Sequence, residues 1–228
     1  FLLVDAMEAD RDTANLLKAG RWFGGVPAAL QELIIERSIR KSYRKGDYIV
    51  REGKPPKAMH AVLSGRVRVT RKVGDEQEEL LLQLGGPGFW FGDYAVYAGV
   101  NSIGSIVADT AVTTLALSVR EFERIVQEEP RFFRAFADLL FERYADLFRY
   151  LGESHGLAPE EWLRTRLVDH AAVMRRDSPA ADAGVITLSQ AELAAMMGVS
   201  RQTLSTLLGR LEARGIISVG FRSIRVLG

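Results

Sequence analysis

Residues 187–217 read Thr187-Leu-Ser-Gln-Ala-Glu-Leu-Ala-Ala-Met-Met-Gly-Val-Ser-Arg-Gln-Thr-Leu-Ser-Thr-Leu-Leu-Gly-Arg-Leu-Glu-Ala-Arg-Gly-Ile-Ile217. A short helix, a glycine turn and a second helix fit this stretch residue by residue. Ala194 is small where two helices must cross closely. Gly198 stands at the turn, where a positive φ costs glycine least. Leu193, Met197, Val199, Leu204 and Leu207 supply a shared apolar core. Ser200 is an N-cap for the second helix. Leu204, Leu207, Leu208 and Leu211 then form one buried face, and Arg201, Gln202, Ser205 and Thr206 lie on the other. The pattern predicts a helix-turn-helix whose second helix presents a polar face to a DNA major groove. An ordinary helical hairpin has the same apolar spacing, but the strand-like runs that follow favour the DNA reading. Gly215–Val219 and Ser223–Leu227 flank a Gly220-Phe221 turn and predict the hairpin of a winged helix.

Working outward, the 228-residue chain has room for one large or two small domains, and its 47% hydrophobic content suits globular cores. No apolar run approaches the ~20 residues of a membrane span, so no membrane partner is expected. The first residues, Phe1 to Asp5, soon turn acidic and lack a signal-peptide layout. The missing initiator Met suggests a trimmed product. There are no cysteines. This excludes disulfides, Cys-ligated zinc, thiolate-ligated haem and a Cys-held iron–sulfur cluster. His60, His155 and His170 form no metal-ligand spacing, so no metal site is expected. His60 reads as a half-buried strand histidine with a backbone partner, His155 as a solvated loop residue and His170 as a helix-surface residue. The DNA-binding motif places the chain in the cytoplasm.

Net charge is only +1, weak for a nucleic-acid binder. The distribution matters more. Residues 189–228 carry Arg201, Arg210, Arg214, Arg222 and Arg225 against Glu192 and Glu212, a net +3. Positive charge is thus concentrated on the predicted DNA-facing module. Ser189 and Gln190 are expected near phosphates, with Thr203 and Arg222 completing the DNA-facing set.

Residues 10–39 read as short helices, broken at Gly24-Gly25 and Pro27. From Ser42 to Ser118, strand-like runs alternate with turn glycines: Tyr48–Val50, Ala61–Leu63, Val67–Thr70, Leu80–Leu82 and Thr113–Leu117. Short strands at that spacing predict a β-sandwich or barrel. Residues 120–154 return to helical periodicity. Phe133, Phe136, Leu140, Tyr144, Leu147, Leu151 and Ser154 make a seam of nearly coiled-coil period. Leu139, Phe141 and Phe148 widen it, which suggests that the helix packs on its own β-domain and on a partner helix. One wide core face within a monomer is the alternative. Because helix-turn-helix readers usually pair to match a two-fold site, a homodimer is expected. Gly152, Gly156 and Pro159 mark a boundary at 152–160. A helix is predicted from Glu160 to Met174, then a loop from Arg176 to Gly184.

In this order the chain resembles the CRP/FNR family of bacterial transcription regulators. The resemblance is carried by Tyr43-Arg-Lys-Gly-Asp-Tyr48, Arg51-Glu-Gly53, Val62-Leu-Ser-Gly-Arg-Val-Arg-Val69, Gly88-Phe-Trp-Phe-Gly-Asp93 and Gly198-Val-Ser-Arg-Gln-Thr-Leu-Ser205. It implies an α+β chain in three parts. Residues 1–130 would hold N-terminal helices and a cyclic-nucleotide-binding-type β-roll (jelly roll), 131–155 a long dimerisation helix, and 156–228 a winged helix-turn-helix. It further implies a non-enzymatic regulator whose effector moves its DNA-binding domains, with RNA polymerase as a partner and a near-palindromic operator. The best-known members have Glu and Arg where this chain has Gln202 and Thr206, so a different operator is expected.

The departures bear on the effector. The family's cyclic-nucleotide binders use a Gly-Glu-Leu motif to hold the ribose. An Arg-Ser pair follows, whose Arg neutralises the cyclic phosphate. Here the motif reads Gly92-Asp93-Tyr94, and the Arg-Ser position falls near Ser102-Ile103. The adenine-contacting Thr-Ser pair of the long helix aligns with Leu151-Gly152. Between Lys72 and Arg120 there is no Lys or Arg, so a buried phosphate would rest on backbone N–H groups alone. Cyclic AMP is therefore not expected, and no other cofactor is indicated. The effector region is expected to involve Phe91, Gly92, Asp93, Tyr94, Ser102, Ile103, Leu147 and Leu151. The aromatics Phe89, Trp90, Phe91, Tyr94 and Tyr97 either line a pocket there or fill the β-roll core. Two other classes compete. A cupin-type enzyme would need a His and carboxylate metal cluster, and the β-domain has one His. A nucleotide- or small-ligand-binding signalling module acting through a protein partner would have no use for the polar face at 200–206.

Overall fold

The computed structural model of the protein describes residues 11–73, 78–177 and 184–227. The expectations for Phe1–Asp5 and for positions 178–183 of the predicted loop lie outside the described residues. The chain divides into two compact units, residues 1–68 with 85–145, and residues 69–84 with 146–228.

The first unit opens with helical residues 11–18 (α1), α2 (Arg21–Gly25) and α3 (Ala28–Arg37). Ile39, placed among the helices by the sequence reading, instead begins strand β1 (Ile39–Tyr43). β1 pairs antiparallel with β8 (Val112–Ser118), Ile39 opposite Ala116. β3 (Ala58–Ser64) pairs with the other edge of β8, and β6 (Trp90–Phe91) follows it, giving the order β1-β8-β3-β6. A second sheet runs β2 (Tyr48–Val50), β7 (Ser105–Ala108), β4 (Val67–Val73), β5 (Glu78–Gly85). Strands β6 and β7 leave no clear mark in the sequence. β6 has two residues, and β7 lacks the polar alternation of a half-exposed strand because three of its four residues are buried.

α4 (Asp93–Ala98) links β6 to β7, and α5 (Val119–Glu128) begins straight after β8, its N-cap Ser118 accepting from the Glu121 N–H. The unit's core is aromatic. Trp22 meets Trp90 edge-on at 4.8 Å, Trp90 stacks on Phe23 at 5.7 Å, and Phe122 meets Phe136 at 5.0 Å. Trp90, Phe91 and Tyr97 therefore serve mainly as packing, the filling alternative of the sequence reading. Tyr94, 44% exposed, does not join them.

α6 (Phe133–Gly156) is one continuous helix. In the second unit, α7 (Pro159–Asp177) extends the predicted helix by three residues past Met174, so Arg176 and Asp177 are helical. Leu163, Leu167, Ala171 and Met174 of α7 are buried with Leu193, Met197, Leu204, Leu208 and Leu211. Leu81 and Leu84 of β5 join the same core. β9 (Val185–Ile186), α8 (Gln190–Met197), α9 (Arg201–Ala213), β10 (Ile217–Gly220) and β11 (Ser223–Val226) complete the unit. The last sheet runs β10-β11-β9. The wing hairpin is as the sequence predicts. Its third strand, β9, is too short to leave a pattern.

Candidate nucleic-acid interface and effector region

The helix-turn-helix is built by local chemistry. Ser189 caps α8 through a capping box: its Oγ accepts from the Glu192 N–H at 3.2 Å, and its own N–H donates to Glu192 Oε2 at 2.8 Å. The Ser189 hydroxyl is also 2.7 Å from the Glu192 carboxylate. It is thus engaged within the box. Gln190 beside it is exposed. Gly198 closes α8 at φ 63°, the left-handed conformation expected at this turn. Ser200 caps α9, its Oγ accepting from the Thr203 N–H at 3.0 Å.

α9 divides cleanly. Leu204, Leu207, Leu208 and Leu211 are buried, while Arg201, Gln202, Thr203, Ser205 and Thr206 are exposed. Two of the exposed hydroxyls have local partners. Thr203 Oγ1 is 2.9 Å from Ser200 Oγ, and Thr206 Oγ1 donates to the Gln202 carbonyl at 3.1 Å. Arg201, Gln202 and Ser205 make up the outward-reaching face. Arg214 turns to α7, where it meets Glu160 at 2.5 Å, so it joins two helices. The wing is tied to α9 by Glu212 Oε1, which accepts from the Val219 N–H at 2.8 Å. Arg222 is exposed at the wing's tip.

The residues placed in the effector region separate. Phe91 is buried and stacks on His60, with centroids 5.0 Å apart and planes 5° apart. Gly92 takes φ 83°, and a Cβ there would approach the Ala58 carbonyl oxygen to 2.8 Å, so a side chain is excluded. Asp93 is 3% exposed. Ser102 is buried, and its backbone exchanges hydrogen bonds with Gly53 and Lys54. Ile103 is 59% exposed. Leu147 and Leu151, in the second unit, are exposed.

A residue the sequence reading missed dominates this region. Arg143 Nε donates to Asp93 Oδ2 at 2.7 Å, its Nη2 donates to the Trp90 carbonyl, and its guanidinium lies 5.3 Å from the Phe89 ring centroid. A cation therefore does reach residues 89–93, from far along the chain, and it is committed to the Asp93 carboxylate. The neighbouring Tyr97 phenol is pushed well up by burial, then by Asp93, against the opposing pull of Arg143.

All three histidine assignments change in part. His60 is almost fully buried, and its Nδ1 lies 3.1 Å from the Thr114 hydroxyl, a side-chain partner rather than a backbone one. Burial, with Lys41 adding to it, lowers its pKa to about 4. His170 is 7% exposed, not on the helix surface. Burial and then Arg166 lower its pKa to about 4. His155 is exposed, as expected, but in the last turn of α6 rather than in a loop.

The α6 seam is also revised. Phe136 is fully buried within its own chain, among Trp22, Tyr97 and Phe122, so it cannot form part of an exposed seam. Leu140 is half-buried. Phe133, Phe141, Tyr144, Leu147, Phe148 and Leu151 are exposed.

Comparison with known proteins agrees with this anatomy. Residues 40–129 match the cyclic nucleotide-binding domain model, and residues 163–228 match the Crp-like helix-turn-helix domain model. The chain is 28% identical over 212 residues to the cyclic AMP receptor protein of Thermus thermophilus, covering 92% of this chain and 94% of that one. The structure of a CRP/FNR family transcriptional regulator, also from Thermus thermophilus, is 26% identical. It superimposes with a TM-score of 0.66, covering 83% of this chain and 94% of that one. The c-di-GMP responsive regulator CLP of Xanthomonas campestris shares the fold at 21% identity and a TM-score of 0.65, covering 89% of this chain and 100% of its own. The architecture is that of a DNA-binding transcription regulator with a cyclic-nucleotide-binding-type domain. The chain belongs to the CRP/FNR family.

Proposed function

We propose that this chain is a homodimeric, sequence-specific transcription regulator whose effector region is altered from that of the cyclic-nucleotide binders. The observation that carries the DNA reading is α9. It keeps Arg201, Gln202 and Ser205 exposed while four leucines hold its other side in the core. The homodimer is supported by the exposed row Phe141, Tyr144, Leu147, Phe148 and Leu151 on α6. Phe148 is 68% exposed, and rows of exposed large apolar residues mark interaction surfaces. Among the described residues no helix is long and apolar enough to cross a membrane, and none group as a metal site. A cytoplasmic regulator that acts on duplex DNA and works with RNA polymerase, without enzymatic activity, accords with the family.

The effector reading rests on this chain's own groups. The cation near residues 89–93 is held by Asp93, and Ser102 and Ile103 carry no charge to meet a phosphate. The Thermus relative is named for cyclic AMP, but these residues argue against the same mode of binding here. The signalling-module alternative leaves the polar face of α9 without a role.

Selection of duplexes from a random pool tests the DNA reading. A near-palindrome with half-site centres about one helical turn apart is expected. Loss of a guanine contact in Arg201→Ala costs ~1–3 kcal/mol and relaxes preference at one base per half-site. If Arg201 meets phosphate instead, all sequences weaken alike and the salt slope falls by about one unit per protomer. Gln202 is expected to read a base edge, with adenine the natural partner. A single asymmetric half-site, or unchanged affinity and specificity in Arg201→Ala, counts against this function.

A further inference from the structure

The tip of the wing has two features that folding alone does not account for. Gly220 pairs with Ser223, so Phe221 and Arg222 form a two-residue connection. Phe221 is 94% exposed, more than any of the other exposed large apolar residues. Arg222 has φ 52°, the one positive φ at a non-glycine among the described residues. Turns of this length favour Gly or Asn wherever φ is positive. Arginine there carries a backbone cost, and a phenylalanine held in water gains nothing from burial in this chain. Residues held in such conformations concentrate at binding sites.

The base of the hairpin is rigid. Ile217 and Ile224 are 1% and 2% exposed, the Leu227 N–H donates to the Ile216 carbonyl at 2.9 Å, and Glu212 holds Val219. The tip is therefore presented on a firm support. Residues 217–227 contain Arg222 and Arg225 and no acidic residue. An exposed apolar side chain at the tip, next to the exposed Arg222, matches a polyanion that also offers apolar edges. Duplex DNA has both, in its phosphates and in its sugar and base edges. Along α9, Arg201 and Glu212 are roughly 16 Å apart at the rise of an α-helix. Half a turn of duplex, which separates a major groove from the adjacent minor groove, is roughly 17 Å.

We infer that Phe221 is a second DNA-contacting element, placing its ring against sugar and base edges of the minor groove beside the segment that α9 reads, with Arg222 on the flanking phosphate. This rests on the DNA-binding reading. It adds a non-ionic contact, and hence a sequence preference for easily unstacked steps outside the half-site, such as TA or CA.

The test uses the full chain and a duplex that the wild-type protein selects from a random pool, with 2-aminopurine at positions flanking each half-site. Wild-type binding is expected to raise 2-aminopurine fluorescence at a flanking step. Phe221→Ala is expected to abolish that rise and weaken binding roughly tenfold at every salt concentration, leaving the salt slope unchanged. Arg222→Gly, which relaxes the backbone, is expected to lower the slope by about one unit per protomer. Because Phe221 is exposed, its replacement should leave the thermal midpoint unchanged, which separates contact from folding. Wild-type affinity and fluorescence in Phe221→Ala overturn the inference and leave the DNA reading standing. A change in sedimentation without a change in DNA binding also overturns it. A wild-type chain that selects no duplex overturns both.

Discussion

Arg143 and Asp93, fifty positions apart in sequence, form the ion pair that ties α6 to the start of α4. Asp93 is buried, with only 4% of its side chain exposed, while Arg143 keeps about a third of its own. Removing one partner of such a pair strands a charge away from water. Arg143→Met is expected to destabilise the fold by about 3–5 kcal/mol. The Asp93→Asn, Arg143→Met double variant should lose less than the sum of the singles. Denaturant unfolding of all four proteins measures the coupling, and strict additivity would show that the pair is not an energetic unit.

The same pair bears on the effector. A ligand that anchors on Asp93 must compete with Arg143, and no other Lys or Arg lies between Lys72 and Arg120. One charge-assisted hydrogen bond is worth ~1.5–3 kcal/mol. Cyclic AMP is therefore expected to bind at least roughly tenfold more weakly than where that contact exists. Titration calorimetry checks this. Micromolar binding with the phosphate seated at residues 92–105 refutes it.

The two faces of α6 predict two different failures. Phe148→Glu removes an exposed apolar group, so it should convert the proposed dimer to a monomer in sedimentation experiments at micromolar concentration while the chain stays folded. Phe136→Ala empties a core position and should cost about 3–5 kcal/mol of fold stability, with little direct effect on association. A wild-type protein that sediments as a monomer rules out the dimer.

His60 and His170 give a pH dependence. Both have folded pKa values of about 4, below the ordinary 6.5. The unfolded chain therefore binds protons that the folded chain refuses between pH 6.5 and 4, and stability falls as pH drops through that window. It is fully present above about pH 6.5. Each histidine accounts for about 3 kcal/mol across the window. Thermal midpoints measured from pH 7 to 4 should decline, and less steeply in His60→Gln or His170→Gln. Identical pH profiles in wild type and variants would remove the histidines from this account.

Much of the DNA-binding half was legible in the sequence because its signals are local. Caps at Ser189 and Ser200, the left-handed turn at Gly198 and the buried leucines of α9 depend on contacts three or four residues apart. The runs at 48–50, 61–63 and 113–117 were readable for the same reason, being apolar and bounded by turn residues, and the strands that contain the last two extend to 58–64 and 112–118. Tertiary structure decided what periodicity cannot express. Phe136 and Phe141 both read as apolar positions of one helix, yet only packing against Trp22 and Phe122 buries the first and leaves the second in solvent. His60 and His170 look like ordinary surface or half-exposed residues until their neighbours close over them. β9 exists only through its pairing with β11, and Leu81 and Leu84 join α7's core from a strand far away in sequence. Arg143 could be assigned to Asp93 only once α6 lay across residues 89–93. Sequence spacing reports which side chains share a face, whereas burial and ion pairing depend on which distant surface that face meets.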